Sequence, residues 1–192
     1  MPDVVELLRI EEYRALRATI QQRGSIRLIV TALTFSVWAA AVLTVLALST
    51  IPLAGLVPLI VLAAGFEVIF AIHVGVERIG RYLQVHHEPL SSGAAVWEQT
   101  AMRFQAPGGG IHALVPILFA VAAMLNLALG TLITLDVGEP AIVPLPFVET
   151  LPYIGVHALV VARIFMATKF AAGQRASDLQ EFERLLGNSG RV

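Results

Sequence analysis

The residues able to do chemistry in this chain are few, and several lie inside long apolar runs. Glu67 stands in LVPLIVLAAGFEVIFAIHVGV and Arg163 in LVVARIFMATKF. A charged side chain at the centre of an apolar span costs about 2.5–3.5 kcal/mol on insertion scales, so each needs a partner or a task. At about 1.5 Å rise per residue, Glu67 lies about 22 Å along from Pro52, and Arg163 about 18 Å along from Leu151. Similar depth on two different segments predicts an ion pair or a shared polar cluster. Such a pair can relay a proton or ion, or it can simply fix helix register.

Asn126 and His157 form a second intramembrane pair, nearer the other surface, for which a hydrogen bond is expected. Asn126 shares an i,i+4 stripe with Ala122 and Gly130, the small-and-polar pattern of a helix–helix contact. Ala71 and Gly75 give the same spacing on an earlier segment. The histidines supply a possible ligand set. His73 and His112 lie on different segments near the same surface and could hold a haem b iron axially. Glu77 lies at i,i+4 from His73 and could reach the same metal, or it could pair with Arg81 on its own helix. His86, His87 and Glu88 are consecutive, and neighbours on a helix diverge, which makes a poor chelate. No cofactor is expected. The chain contains no GxSxG, HExxH, Walker A or GxGxxG sequence. The glycines 108–110 have no Lys beside them and follow no strand. No Cys is present, which removes disulfides, thiolate zinc sites, iron–sulfur clusters and Cys nucleophiles together.

The elements that must carry these residues follow from hydropathy. Of 192 residues, 57% are hydrophobic and 14% charged, and the mean hydropathy is +0.78. Soluble domains carry about 25% charged residues. The composition is that of an integral membrane protein, and a net charge of −1 gives no case for nucleic acid. Four segments reach the roughly 20 apolar residues that a spanning helix needs: about 28–48, 52–76, 111–135 and 151–170. Their unbroken runs exclude the alternating strands of an outer-membrane barrel. The expected fold is all-α, a bundle of four antiparallel transmembrane helices flanked by amphipathic helices.

Residues 1–24 read as a charged amphipathic helix, with Glu6–Arg9 and Glu11–Arg14 at i,i+3 and a break at Gly24. This helix is expected on the membrane surface or against another cytosolic element. Residues 77–110 form a cytosolic hairpin, beginning as an extension of the second span that ends before Pro89. In the tail, 171–192, Ser177 and Gln180 match a capping box and Gly187 a C-cap. The turn at 49–52 is short enough to make the first two spans antiparallel neighbours. Every Lys and Arg sits in segments that can share one side, whereas Asp136, Glu139 and Glu149 mark the other. The positive-inside rule then places both termini in the cytoplasm.

Tyr13-Arg14-Ala15-Leu16-Arg17 precedes the first span, Ile79-Gly80-Arg81-Tyr82 follows the second, and Trp97-Glu98 comes shortly after. Together these resemble a loose group of small, uncharacterised bacterial inner-membrane proteins with a Tyr-x-x-Leu-Arg helix and an Ile-Gly-x-Tyr turn. The resemblance covers about the first hundred residues. It implies a bacterial cytoplasmic membrane and no particular activity.

These observations predict a non-catalytic membrane protein that works by assembly, as a homo-oligomer or an accessory subunit. Its partners are the bilayer and other membrane subunits or itself. Two alternatives stand beside it. One is a haem-, quinone- or metal-binding or proton-conducting protein using His73, Glu77 and His112, or Glu67 and Arg163. The other is a small oligomeric pore or transporter in which Glu67 lines the conduit.

Overall fold

The structure is a computed structural model, and it describes residues 3–49, 51–87, 111–134 and 147–189. These form four α-helices: α1 (Val4–Leu48), α2 (Leu56–His86), α3 (Ile111–Thr134) and α4 (Phe147–Ser189), with a 3-10 turn at Pro52–Gly55 between α1 and α2. Among the described residues the fold is all-α. Three helical stretches are long and apolar enough to cross a membrane: Val4–Leu48, Leu53–His86 and Thr150–Gly187. The described apolar part of α3, Leu114–Leu129, is shorter than a span.

Local sequence explains the turn after α1. Pro52 opens the 3-10 turn, where its fixed φ is already helical and its missing N–H would have no partner. Pro58 falls in the first turn of α2, where backbone N–H groups likewise have no intrahelical acceptor. The chain therefore reverses between Leu48 and Leu56 with little backbone hydrogen bonding lost.

Three expected helix boundaries are absent. α1 continues through Gly24, because one glycine costs a helix only about 1 kcal/mol against alanine. Its neighbours Gln21, Gln22, Arg23 and Arg27 are helix-compatible. α4 likewise runs through Ser177 and Gly187 to Ser189. Ser177 is thus interior to a helix rather than its cap. The surrounding QRASDLQEFERLL is rich in straight-chain residues and alanine, and that propensity outweighs a single local capping signal.

The chain divides into two compact units, Met1–Leu28 with Phe70–Gly110 and Lys169–Val192, and Ile29–Ile69 with Ile111–Thr168. In the second, Phe119 of α3 packs against Phe35 of α1 at 4.9 Å and Phe66 of α2 at 5.5 Å between ring centroids. Leu59, Leu62, Ala123 and Ile164 complete a buried core. Gly65 brings α2 against α1, for a β-carbon there would overlap the Thr34 side chain.

In the first unit the end of α2 packs against both the start of α1 and the end of α4. Tyr82 Oη donates to Glu12 at 2.7 Å, and Tyr13 lies 5.7 Å from the His87 ring. Arg78 pairs with Asp178 at 3.1 Å, and Tyr82 meets Phe182 edge-on at 5.7 Å. Residues 175, 178 and 182 follow helical spacing, so one face of α4 meets one face of α2. The amphipathic start of α1 thus has a protein partner for part of its surface. Val4, Val5 and Leu8 remain exposed.

Candidate functional site

The second unit contains a buried polar network centred on Asn126, which is 1% exposed. Trp38 Nε1 on α1 donates to Asn126 Oδ1 at 3.2 Å. Asn126 Nδ2 donates to the Gly55 carbonyl in the 3-10 turn at 2.8 Å, and it lies 3.1 Å from His157 Nε2 on α4. The network closes through Tyr153, whose Oη donates to the Asn126 backbone carbonyl at 3.0 Å. His157 Nδ1 lies 2.8 Å from the Tyr153 carbonyl, one turn earlier on α4. A single amide thereby ties together α1, the turn, α3 and α4.

Donor and acceptor chemistry settles how this network is wired. An indole N–H only donates, so it must face the amide oxygen; a backbone carbonyl only accepts, so it must face the amide nitrogen. The two constraints agree on one orientation of Asn126. The second amide hydrogen then points to His157 Nε2, which accepts, leaving the imidazole proton on Nδ1 to bond the Tyr153 carbonyl. His157 is therefore a neutral imidazole in this arrangement, with both ring nitrogens engaged. Its one in-plane lone pair, on Nε2, is taken by the Asn126 amide and is not left for an iron or another metal. What the network does is hold four elements in one register, with Asn126 and His157 too deeply buried for water to substitute for a missing bond.

Close backbone approach is part of the construction. A β-carbon at Gly55 would lie 2.7 Å from Tyr153 Oη, so glycine admits the tyrosine ring to the turn. Ala122, on the same stripe as Asn126, is buried. The surroundings of Gly130 lie outside the described residues.

Glu67 and Arg163 also lie in this unit, and Arg163 Nη2 donates to Glu67 Oε2 at 2.8 Å. Their environment differs sharply from that of Asn126. The side chains of Arg163 and Glu67 are 43% and 47% exposed, on the outward surface of α4 and α2. The pair supplies one positive and one negative group to the outside of an apolar helix pair.

The remaining predicted residues fall in the first unit. Glu77 is held between two guanidinium groups, with Arg175 Nε at 2.9 Å and Arg81 Nη2 at 3.4 Å. Arg81 is itself buried. That carboxylate is committed to ion pairing, although His73 lies one turn before it on α2. The side chain of His112 lies outside the described residues. Among the described residues, no group of three or more His, Asp or Glu side chains could hold a metal ion. His86 stacks on Tyr82 at 4.4 Å, while His87 pairs with Glu12 at 3.4 Å. Gly75 accommodates Arg23 of α1, whose Nη1 would lie 2.5 Å from a β-carbon there, and Ala71 is exposed.

Sequence reasoning missed Trp38, Gly55 and Tyr153. Tyr153 carried a usable signal, since it lies at i−4 from His157 on one helix face. Gly55 and Trp38 carried none, because a backbone carbonyl has no sequence signature and Trp38 is 88 residues from its acceptor. No family model, curated protein or solved structure matches the chain.

Proposed function

We propose that this chain is a non-catalytic four-span protein of a bacterial cytoplasmic membrane. Both termini are cytoplasmic, and the protein acts by assembly, as a homo-oligomer or as an accessory subunit. The observation that carries this reading is the half-exposed Glu67–Arg163 pair. Lipid tails offer neither charge a dipole, and a charge facing hydrocarbon costs about 2.5–3.5 kcal/mol. A partner surface that covers the pair removes that cost. The rest of the outward surface agrees: the most apolar stretch of α1 is only 11% buried within the chain, against 39% for that of α2.

The alternatives draw less support. A pore lined by Glu67 calls for a carboxylate turned to water, whereas this one is bonded to Arg163. A metal held by His73 together with Glu77 calls for a free carboxylate, whereas Glu77 is engaged by Arg81 and Arg175.

Native mass spectrometry of the tagged chain, extracted gently from its host membrane, tests the reading. A mass of two or more chains, or of the chain with another polypeptide, is expected. A bare monomer overturns assembly, and a monomer carrying extra mass of haem or quinone size replaces it with the ligand reading.

A further inference from the structure

We infer that the outward face around Glu67 and Arg163 binds a second copy of this chain, exchanging the two ion pairs across a two-fold axis. The inference rests on the assembly reading and names its partner. The exposed stripe flanking the pair consists of Ile60 and Ala64 on α2 and Leu159 and Met166 on α4. Apolar exposure alone does not choose between lipid and protein, because tails cover it equally well. The charges do choose. The two are bonded to one another, and each side chain still leaves close to half of its surface exposed.

A surface complementary in charge to the exposed pair offers an anion beside Arg163 and a cation beside Glu67. A second copy turned by a two-fold axis offers that set in the reverse order, since in an isologous contact residue i meets j and j meets i. The result is a closed ring of four alternating charges, each carboxylate lying between two guanidinium groups. Ala64, one turn before Glu67, is small enough to let the two α2 helices approach closely.

Charge reversal tests this in a way that ordinary removal cannot. Glu67→Arg leaves two cations on the face, and Arg163→Glu leaves two anions. Like charges brought together across an interface repel, so each variant alone should lose its dimer by roughly tenfold or more. Co-expressed under two different tags, the two variants should form a heterodimer carrying one of each tag. The doubly reversed chain, Glu67→Arg with Arg163→Glu, should dimerise as the original does and shows that the reversed side chains are tolerated. The chain has no cysteine, so a crosslink provides a second measurement on an unreversed face. Leu159→Cys should crosslink to a dimer in native membranes, whereas Leu125→Cys, exposed on α3, should not.

The outcomes separate this inference from the reading beneath it. A bare monomer of the unmodified chain sinks both. Association only with a different polypeptide leaves assembly standing and overturns the two-fold contact. Dimers that survive each single reversal, reversed chains that do not pair on mixing, or crosslinking at Leu125→Cys equal to that at Leu159→Cys also overturn it.

Discussion

Replacing Asn126 with leucine tests whether the buried amide is the clasp of the second unit. Leucine is similar in size, so the substitution removes hydrogen bonds with little change in packing. Three partners of the amide side chain lose their bond at once: Trp38 Nε1, the Gly55 backbone carbonyl and His157 Nε2. At the average of about 0.6 kcal/mol measured for such bonds inside membrane proteins, the loss is about 2 kcal/mol. At about 1.5 kcal/mol each, the upper value for bonds in soluble cores, it rises to about 4.5 kcal/mol. Trp38→Phe removes only one of the three and should show a coupling with Asn126→Leu of about 0.6–1.5 kcal/mol in a double-mutant cycle. Because the chain lacks cysteine, a single Ala123→Cys, fully buried in the original, reports unfolding through its labelling rate as sodium dodecyl sulfate is titrated into mixed micelles. A loss below about 0.5 kcal/mol, or strictly additive Trp38 and Asn126 effects, would refute the assignment of the amide as the clasp.

Other substitutions probe separate parts of the fold. Gly55→Ala sets a methyl 2.7 Å from Tyr153 Oη and should cost about 1–3 kcal/mol by overpacking, seen as an earlier thermal transition in detergent. Gly65→Ala should be destabilising through its overlap with Thr34, and Thr34→Ala should recover part of the loss; a loss unchanged by Thr34→Ala places the strain elsewhere. Glu77→Gln leaves buried Arg81 and its neighbour Arg175 without their shared carboxylate. About 3 kcal/mol should be lost locally, read as faster proteolysis near residue 175. For topology, Ser49→Cys should react with an impermeant maleimide added to intact cells, while Ser189→Cys should react only after permeabilisation.

The helices were legible because each rests on an unbroken apolar or helix-favouring run that any register reproduces. Gly24 and Ser177 misled for one shared reason: a single local break or cap signal is worth about 1 kcal/mol and yields to long, favourable flanks. Glu67 and Arg163 could be matched by depth alone, since charges in apolar runs are rare enough to leave few pairings. Depth does not reveal which way a helix face turns, so the half-exposure of that pair had to come from the structure. The competing engagement of Glu77 was hidden for a different reason. Spacing placed His73 and Glu77 on one face but gave no sign of Arg175, 98 positions beyond Glu77, whose side chain claims the carboxylate first.

The wiring around Asn126 also imposes an order of events during biosynthesis. Its partners on α1 and in the turn, Trp38 and Gly55, lie earlier in the chain and are already made when α3 emerges from the ribosome. Tyr153 and His157 arrive 27 and 31 residues later. A chain halted after α3 therefore holds an amide with one hydrogen still unsatisfied, and a backbone carbonyl awaiting the tyrosine hydroxyl. Arrival of α4 completes both bonds together. A truncated or wrongly threaded α4 therefore leaves one amide hydrogen and one backbone carbonyl of α3 unmet in the interior of the second unit, at the cost of a buried unsatisfied polar group.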